Sequence, residues 1–268
     1  MNIIEAIKDR NLFRPFIGDD LRSWRNWIIA LRCFYGLPIQ LKKSKEIIKQ
    51  CTGRNPKKLP ANGFDTALFL TGRRSGKSKI SAIIGAYKAA FSGREKYLSA
   101  GEDGLVVITA PTKLQGKIVK NYIRSIFSTP LLKQEIDCEN RDGFRLRNGV
   151  EVWILSGDWR TVRGFTLLAA IIDECCFFGL DADSKIRSDT ELIRAIKPGL
   201  LTAKGKLIAV SSPYAKKGWS YKQYKNCFGN DIAKTFVWNS PSKIMNPTLD
   251  QAEIDAAMAE DRAAALSE

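Results

Sequence analysis

The segment that most restricts the fold lies between Thr66 and Phe91. An apolar run, Thr66-Ala67-Leu68-Phe69-Leu70, gives way to Thr71-Gly72-Arg73-Arg74-Ser75-Gly76-Lys77-Ser78, and a helical pattern follows over 78–91. The ending Gly-Lys-Ser is the second half of a phosphate-binding loop, with Thr71 standing where the first Gly of G-x-x-x-x-G-K-[ST] is usual. The order strand, loop, helix is what the chemistry needs. Loop N–H groups and the helix N-terminus together cradle phosphate oxygens. Lys77 is then the residue to reach the β- and γ-phosphates, and the Ser78 hydroxyl the one to ligate Mg²⁺.

The same grammar repeats downstream. Strands are predicted at 66–70, 105–110, 167–173 and 206–211, with helices at 78–91, 112–127 and, for the most part, 190–200. Short apolar runs separated by helices imply parallel pairing in an α/β sheet covered on both faces. The exception is Phe144–Leu155, where Asn148-Gly149 between two alternating runs predicts a two-residue hairpin. Residues 1–60 read differently. Trp24, Trp27, Ile28, Leu31 and Phe34 recur at helical spacing, Gly36 and Pro38 end that helix, and a second helix fits 42–51. After residue 240 a turn precedes an Ala-rich acidic helix whose carboxylates read as its solvated face.

Composition narrows the chemistry. Among 268 residues there is no histidine, which excludes Ser-His-Asp and Cys-His nucleophiles and every His-ligated metal. The six cysteines form no C-x-x-C pair, so a structural zinc site is not expected and reduced, mostly buried thiols are. No apolar stretch is long enough to span a bilayer, and no membrane partner is expected. The net charge is +15, and residues 1–60 carry 13 Lys+Arg against 5 Asp+Glu. Such a surface favours a polyanionic partner.

Two further strand ends carry chemistry. Leu167–Asp173 is a buried strand that delivers Asp173 and Glu174 at its carboxyl end, where ligands of α/β sheets sit. Asp173 is suited to hold Mg²⁺, and Glu174 to orient and deprotonate an attacking water. Strand-terminal acids are common, and these gain meaning from the phosphate loop about a hundred residues upstream. The strand 206–211 ends similarly in Ser211-Ser212-Pro213, small hydroxyl residues suited to sensing the γ-phosphate or the attacking water. Cys175 and Cys176 follow the carboxylates and read as packing residues.

Taken together, these residues resemble the ATPase domain of the large terminase subunit, the motor that packs DNA into tailed-phage heads. The likeness runs from about Phe13 to Ala265. It is carried by the Arg-rich loop 72–78, Thr109-Ala110-Pro111-Thr112 with Gln115, Val162-Arg163-Gly164 ahead of the Asp-Glu strand, Ser211-Ser212-Pro213 and Met245-Asn246-Pro247-Thr248. In the head, Ser23-Trp24-Arg25 and Cys51-Thr52-Gly53-Arg54 belong to the same likeness.

The resemblance implies a RecA-like P-loop ATPase of the ASCE type, with ATP and Mg²⁺ as ligands. Three parts are expected: a helical region 1–60 packed on the core, the ATPase domain 61–245, and a linker helix 246–268 leading to a nuclease domain that belongs to a longer parent protein. Thr71 to Ser78 would bind the nucleotide, Ser78 and Asp173 the metal, and Glu174 would be the catalytic carboxylate. Arg73 is the implied cis-acting arginine, with Arg74 as its alternate, and Arg160 and Arg163 are candidates for an arginine acting in trans. Ser211, Ser212 and Pro213 would couple hydrolysis to movement. Adenine recognition is implied upstream of the loop, with Arg54 and Gln40 as candidates. Implied partners are double-stranded DNA, the small terminase subunit, the portal protein of the procapsid, and further copies of the chain in a ring, with a monomer in isolation. The implied location is the cytoplasm of the infected bacterial host. Two other readings compete: a superfamily-2 helicase-like ATPase, for which about 55 residues after 213 are too few to form the second domain, and a nucleic-acid-binding module that does not hydrolyse nucleotide.

Overall fold

The computed structural model describes residues 1–156, 162–178 and 188–262. In chain order the head supplies helices α1 (Ile3–Lys8), α2 (Arg14–Ile17), α3 (Arg25–Tyr35) and α4 (Leu41–Thr52). There follow β1 (Thr66–Thr71), α5 (Lys77–Ala90), β2 (Gly104–Thr109), α6 (Lys113–Ile126), α7 (Pro130–Lys133), β3 (Ile136–Glu139), β4 (Gly143–Leu146), β5 (Glu151–Leu155) and β6 (Thr166–Asp173). The chain continues through α8 (Asp189–Ile196), β7 (Lys206–Ser211), α9 (Gly218–Cys227), β8 (Thr235–Ser240), α10 (Ser242–Met245) and α11 (Gln251–Glu260).

Among the described residues the strands form one sheet, ordered β3-β4-β5-β2-β6-β7-β1-β8. The six strands from β5 to β8 in that order run parallel, and β3 and β4 add an antiparallel edge. The fold class is thus the α/β one expected, with a mostly parallel sheet flanked by helices. Parallel strands bury both faces, and side chains alternate between them. Along β1, Phe69 enters the core under α1 to α6, whereas Leu68 and Leu70 enter a second core under α8 and α9. One consequence of the order matters for everything below. The carboxyl ends of β1, β7 and β6 lie side by side, with β7 between the other two.

The head helices pack on the first core rather than standing off it: Trp27, Phe34 and Ile48 are fully buried there. Helix α3 stops at Gly36, whose left-handed conformation lets its N–H cap the carbonyls of Arg32 and Cys33. A Cβ at that position would meet the Ala61 carbonyl oxygen at 2.2 Å, so the close approach also demands glycine.

Three features differ from expectation. The β4–β5 hairpin turns through Arg147, Asn148 and Gly149, because Leu146 N–H pairs with Val150 C=O across a three-residue loop. Gly149, at φ +81°, supplies the left-handed residue that such a loop needs. Strand β3 carries no apolar run, since three of its four residues are exposed on the sheet edge. The stretch between Pro213 and Ser240, for which the sequence predicts no element, holds α9 and β8. Phe236-Val237-Trp238 is the legible signal for β8, alternating between the two cores.

Candidate functional site

The candidate phosphate loop leaves β1 at Thr71 and enters α5 at Lys77. Two left-handed residues turn it, Arg74 at φ +59° and Gly76 at φ +89°. Thr71 is still a strand residue, so no glycine is needed there. Its hydroxyl instead hydrogen-bonds the Ser75 hydroxyl at 2.8 Å and closes the mouth of the loop. Neighbouring elements hold the loop from outside. The Trp27 indole donates to the Ser75 carbonyl at 2.6 Å, the Trp24 ring lies 3.1 Å from where a Cβ on Gly76 would be, and Asn246 donates to the Arg74 carbonyl at 3.0 Å. Gly72 N–H reaches Ser240 C=O at the end of β8. Arg73 and Arg74 are exposed at the loop's rim.

Lys77 is buried, and its ammonium is folded back into the site. It donates to Ser212 Oγ at 2.8 Å and to the carbonyls of Gly72 and Thr71 at 3.0 and 3.2 Å, and lies 3.6 Å from Glu174 Oε1. Burial lowers its pKa, opposed by the nearby carboxylates of Glu174 and Asp173. Ser78 Oγ donates to Asp173 Oδ2 at 2.9 Å, and Ser81 Oγ donates to Asp173 Oδ1 at 3.1 Å. Desolvation pushes the Asp173 carboxyl up to about 6, although both serines pull the other way. Sequence reasoning does not single out Ser81. It lies three residues after Ser78 and so on the same helix face, which is the signal that could have found it.

Glu174 sits just past β6 in a left-handed conformation at φ +51°. For a residue with a Cβ this is strained, and such strain is typical of functional sites. Its Oε2 accepts from the Ser211 hydroxyl and the Ser212 N–H, both at 3.1 Å. Ser211 Oγ in turn accepts from Cys176 N–H at 3.2 Å. The ends of β1, β6 and β7 therefore meet through side chains: Lys77 and Ser78 from the loop, Asp173 and Glu174 from β6, Ser211 and Ser212 from β7. Pro213 is half-buried and begins the segment that leaves the site. Thr112, from the motif after β2, caps α6 by accepting from Gln115 N–H on the same edge of the sheet.

Other expected residues lie elsewhere. Arg54 is 2 % exposed, stacks 5.0 Å from the Phe64 ring centroid, and donates to the carbonyls of Ala233 and Thr235. Thr235 opens β8, whereas the loop abuts its far end, about 17 Å away along the strand. Arg54 therefore anchors the chain at the opposite end of the sheet, and its assignment to adenine is corrected. Gln40 is exposed at the start of α4, the end nearer the loop, where Arg25 of α3 donates to the Lys43 carbonyl. Arg163 is exposed ahead of β6, separated from Asp173 by about 23 Å of strand. It cannot serve its own chain's carboxylates. Arg160 lies outside the described residues.

No protein-family model matches the sequence, and no curated protein matches it. Solved structures do. The HK97 bacteriophage large terminase superposes with a TM-score of 0.64 over 97% of this chain at 18% identity. The fold is that of phage large terminases. The Thermus phage P74-26 large terminase ATPase domain gives a TM-score of 0.53 at 16% identity, covering 87% of this chain and 90% of that one. The large terminase of a thermophilic bacteriophage gives 0.50 at 12% identity over 82% of this chain. This chain spans about half the length of the HK97 terminase and of that thermophilic one, 51% and 50%.

Proposed function

We propose that this chain is the ATPase motor domain of a viral large terminase, which couples Mg-ATP hydrolysis to translocation of double-stranded DNA into a procapsid. One observation carries the reading: Lys77, Asp173–Glu174 and Ser211–Ser212 converge at the ends of three adjacent parallel strands. The terminase fold supports it, as does the basic charge.

The donor set suits magnesium. Ser78 and Asp173 offer a hydroxyl and a carboxylate, hard oxygen ligands, 2.9 Å apart. Ser78 and Asp173 would hold the ion, and the chemistry it would supply is neutralisation of charge on the transferred phosphoryl group. Asp173 would hold it in the ionised state, with Ser81 orienting the carboxylate. Thr71 to Ser78 would hold the nucleotide. Lys77 has its donors committed to Ser212, two carbonyls and Glu174, and the phosphates of ATP would draw it away. That frees Oε1 of Glu174, while Ser211 and Ser212 keep Oε2 fixed. Glu174 can then take a proton from the attacking water. Ser212 would register both events, since its hydroxyl binds Lys77 and its N–H binds Glu174, and Pro213 would pass the change outward.

Arg73 is the proposed cis-acting arginine, with Arg74 beside it at the rim. Arg163, too far from its own site, fits a trans-acting role toward a neighbouring copy, and the working form is then a ring. The small terminase subunit and the portal protein are the further partners of this reading. For DNA, the supporting feature is a cleft of about 740 Å³ between α6 and the β3–β5 edge. Lys113, Lys117, Lys120 and Arg124 line it at helical spacing, joined by Arg141, and phosphates would be its natural occupants.

The test is steady-state ATP hydrolysis with and without duplex DNA, beside Glu174→Gln. Hydrolysis by the wild type and not by the variant supports the assignment. Equal hydrolysis by both would remove Glu174 from its role.

A further inference from the structure

The chain leaves the candidate site by two routes, and both are tied to one buried carboxylate. One route runs from Glu174 into the short turn Cys175–Phe177. The other runs from Ser212 and Pro213 into α9. Asp189, the first residue of α8, is 6 % exposed. It accepts from the N–H groups of Trp219 and Ser220 in the first turn of α9, at 3.0 and 2.9 Å. Lys217, at the head of α9, gives no side-chain cap, so Asp189 fills that need from another helix. The fit is close: a Cβ on Gly218, at φ +78°, would meet Asp189 Oδ1 at 2.5 Å. Ser220 Oγ then bridges Asp189 Oδ2 at 2.9 Å and Sγ of the buried Cys175 at 3.2 Å.

Cys175 directly follows Glu174, whose left-handed backbone at φ +51° and ψ +47° persists only if its surroundings hold it. On the β7 side, Glu174 Oε2 accepts from Ser211 and Ser212, and Cys176 N–H donates to Ser211 Oγ. These contacts fix the Glu174 side chain and the peptide beyond Cys175. The peptide between Glu174 and Cys175 is set by where the Cys175 side chain is anchored, and that anchor is Ser220. We propose that Asp189 is a positioning residue: through Ser220 and Cys175 it holds Glu174 in the geometry in which it can take a proton from water. The inference rests on the reading of Glu174 as the base of an ATPase, and it adds residues outside the phosphate loop and the three strand ends.

The chemistry of the place suits a carboxylate. Asp189 accepts from two N–H groups, from the Ser220 hydroxyl and from the Thr190 hydroxyl at 3.2 Å. An amide in its place would turn its NH₂ toward those donors. A helix N-terminus also favours negative charge. A cap for α9 alone would stabilise the fold and leave catalysis untouched. A positioning role demands more, because turnover must then depend on the bridge from Ser220 to Cys175. Asp189 also holds α9, so a movement of the segment beyond Ser212 reaches Glu174 by a second path besides the Ser212 N–H.

The experiment compares steady-state ATP hydrolysis by Ser220→Ala, Cys175→Ala and Cys175→Ser with that of the wild type, and adds a crystal structure of Ser220→Ala. We expect kcat to fall about five-fold in both alanine variants while KM changes by less than about two-fold, since the bridge serves proton transfer and not nucleotide binding. Cys175→Ser keeps a hydrogen-bonding group and should restore kcat. Asp189→Asn should lower kcat at least as far, and if it fails to fold the other variants still decide. In the Ser220→Ala structure Glu174 should leave φ +51° or lose its contact to Ser211 or Ser212. Equal losses in Cys175→Ala and Cys175→Ser, or a change confined to KM, assign these residues to packing and overturn the inference. Glu174 unmoved in that crystal structure overturns it too. A wild-type chain that hydrolyses no ATP counts instead against the ATPase reading, and the crystal structure then decides the positioning by itself.

Discussion

The two ends of the central sheet treat charge in opposite ways. At the carboxyl ends of β1, β6 and β7, Lys77 lies against Glu174, and Asp173 is shared by two serine hydroxyls. At the amino ends, Lys88 and Lys206 are buried round one tyrosine, and Asp65 points largely into solvent. The first end is internally satisfied and must break its own contacts to accept a ligand. The second sets two lysines against one tyrosine, and burial lowers the pKa of both. A parallel sheet makes this division natural, because its loops and helix N-termini collect at one edge and its helix C-termini at the other.

The largest expected effect falls on the satisfied end. Glu174→Gln should lower ATP hydrolysis about a hundred-fold or more while leaving nucleotide binding intact, as a radiolabelled hydrolysis assay beside a binding titration would register. Lys77→Ala should instead abolish measurable nucleotide binding. If both variants lose binding equally, the division of labour at this end is wrong.

Asp173→Asn should separate stability from function. The folded chain holds a proton on Asp173 up to about pH 6, against 3.8 for an ordinary aspartate. Its contribution therefore favours folding below pH 3.8 and is lost as pH rises through 6. At pH 7 the ionised carboxylate costs on the order of 3 kcal/mol. Chemical denaturation of the nucleotide-free variant at pH 7 should show it more stable than wild type, with Mg-dependent nucleotide binding lost.

The amino end of the sheet gives an effect of opposite slope. Lys88 binds its proton less tightly when folded, at about 7 against 10.5. Stability should therefore rise with pH between about 7 and 10.5, and fall as pH drops through 7. In Lys88→Met the slope should flatten, and the melting temperature at pH 7 should rise by a few degrees. The smallest change is Ser81→Ala, which removes one hydroxyl from Asp173 and should cost about 1 kcal/mol in denaturant midpoints.

Much of the satisfied end is legible in the sequence. Thr66–Ser78 reads as strand, loop and helix because a parallel strand is apolar on both faces and the loop's Gly-Lys-Ser admits few other uses. Asp173–Glu174 and Ser211–Ser212 are found the same way, as polar residues where an apolar run stops. The amino end is not legible, since Lys88 and Lys206 are brought together only by the sheet order. Arg54 misleads for a related reason. Its position upstream of the loop in the chain says nothing of which end of β8 it reaches. Strand β3 escapes because an exposed edge needs no apolar run, and Arg163 becomes interpretable only once the length of β6 separates it from Asp173.

The grip of Trp24 and Trp27 on the phosphate loop has a mechanical consequence. Residues that lie some fifty positions earlier in the chain form the wall against which Ser75 and Gly76 are seated. The head and the loop are thus packed as one part. A load on α3 therefore reaches the loop backbone through an indole hydrogen bond and a ring contact, alongside the packing of Trp27 and Phe34 on Phe69 of β1.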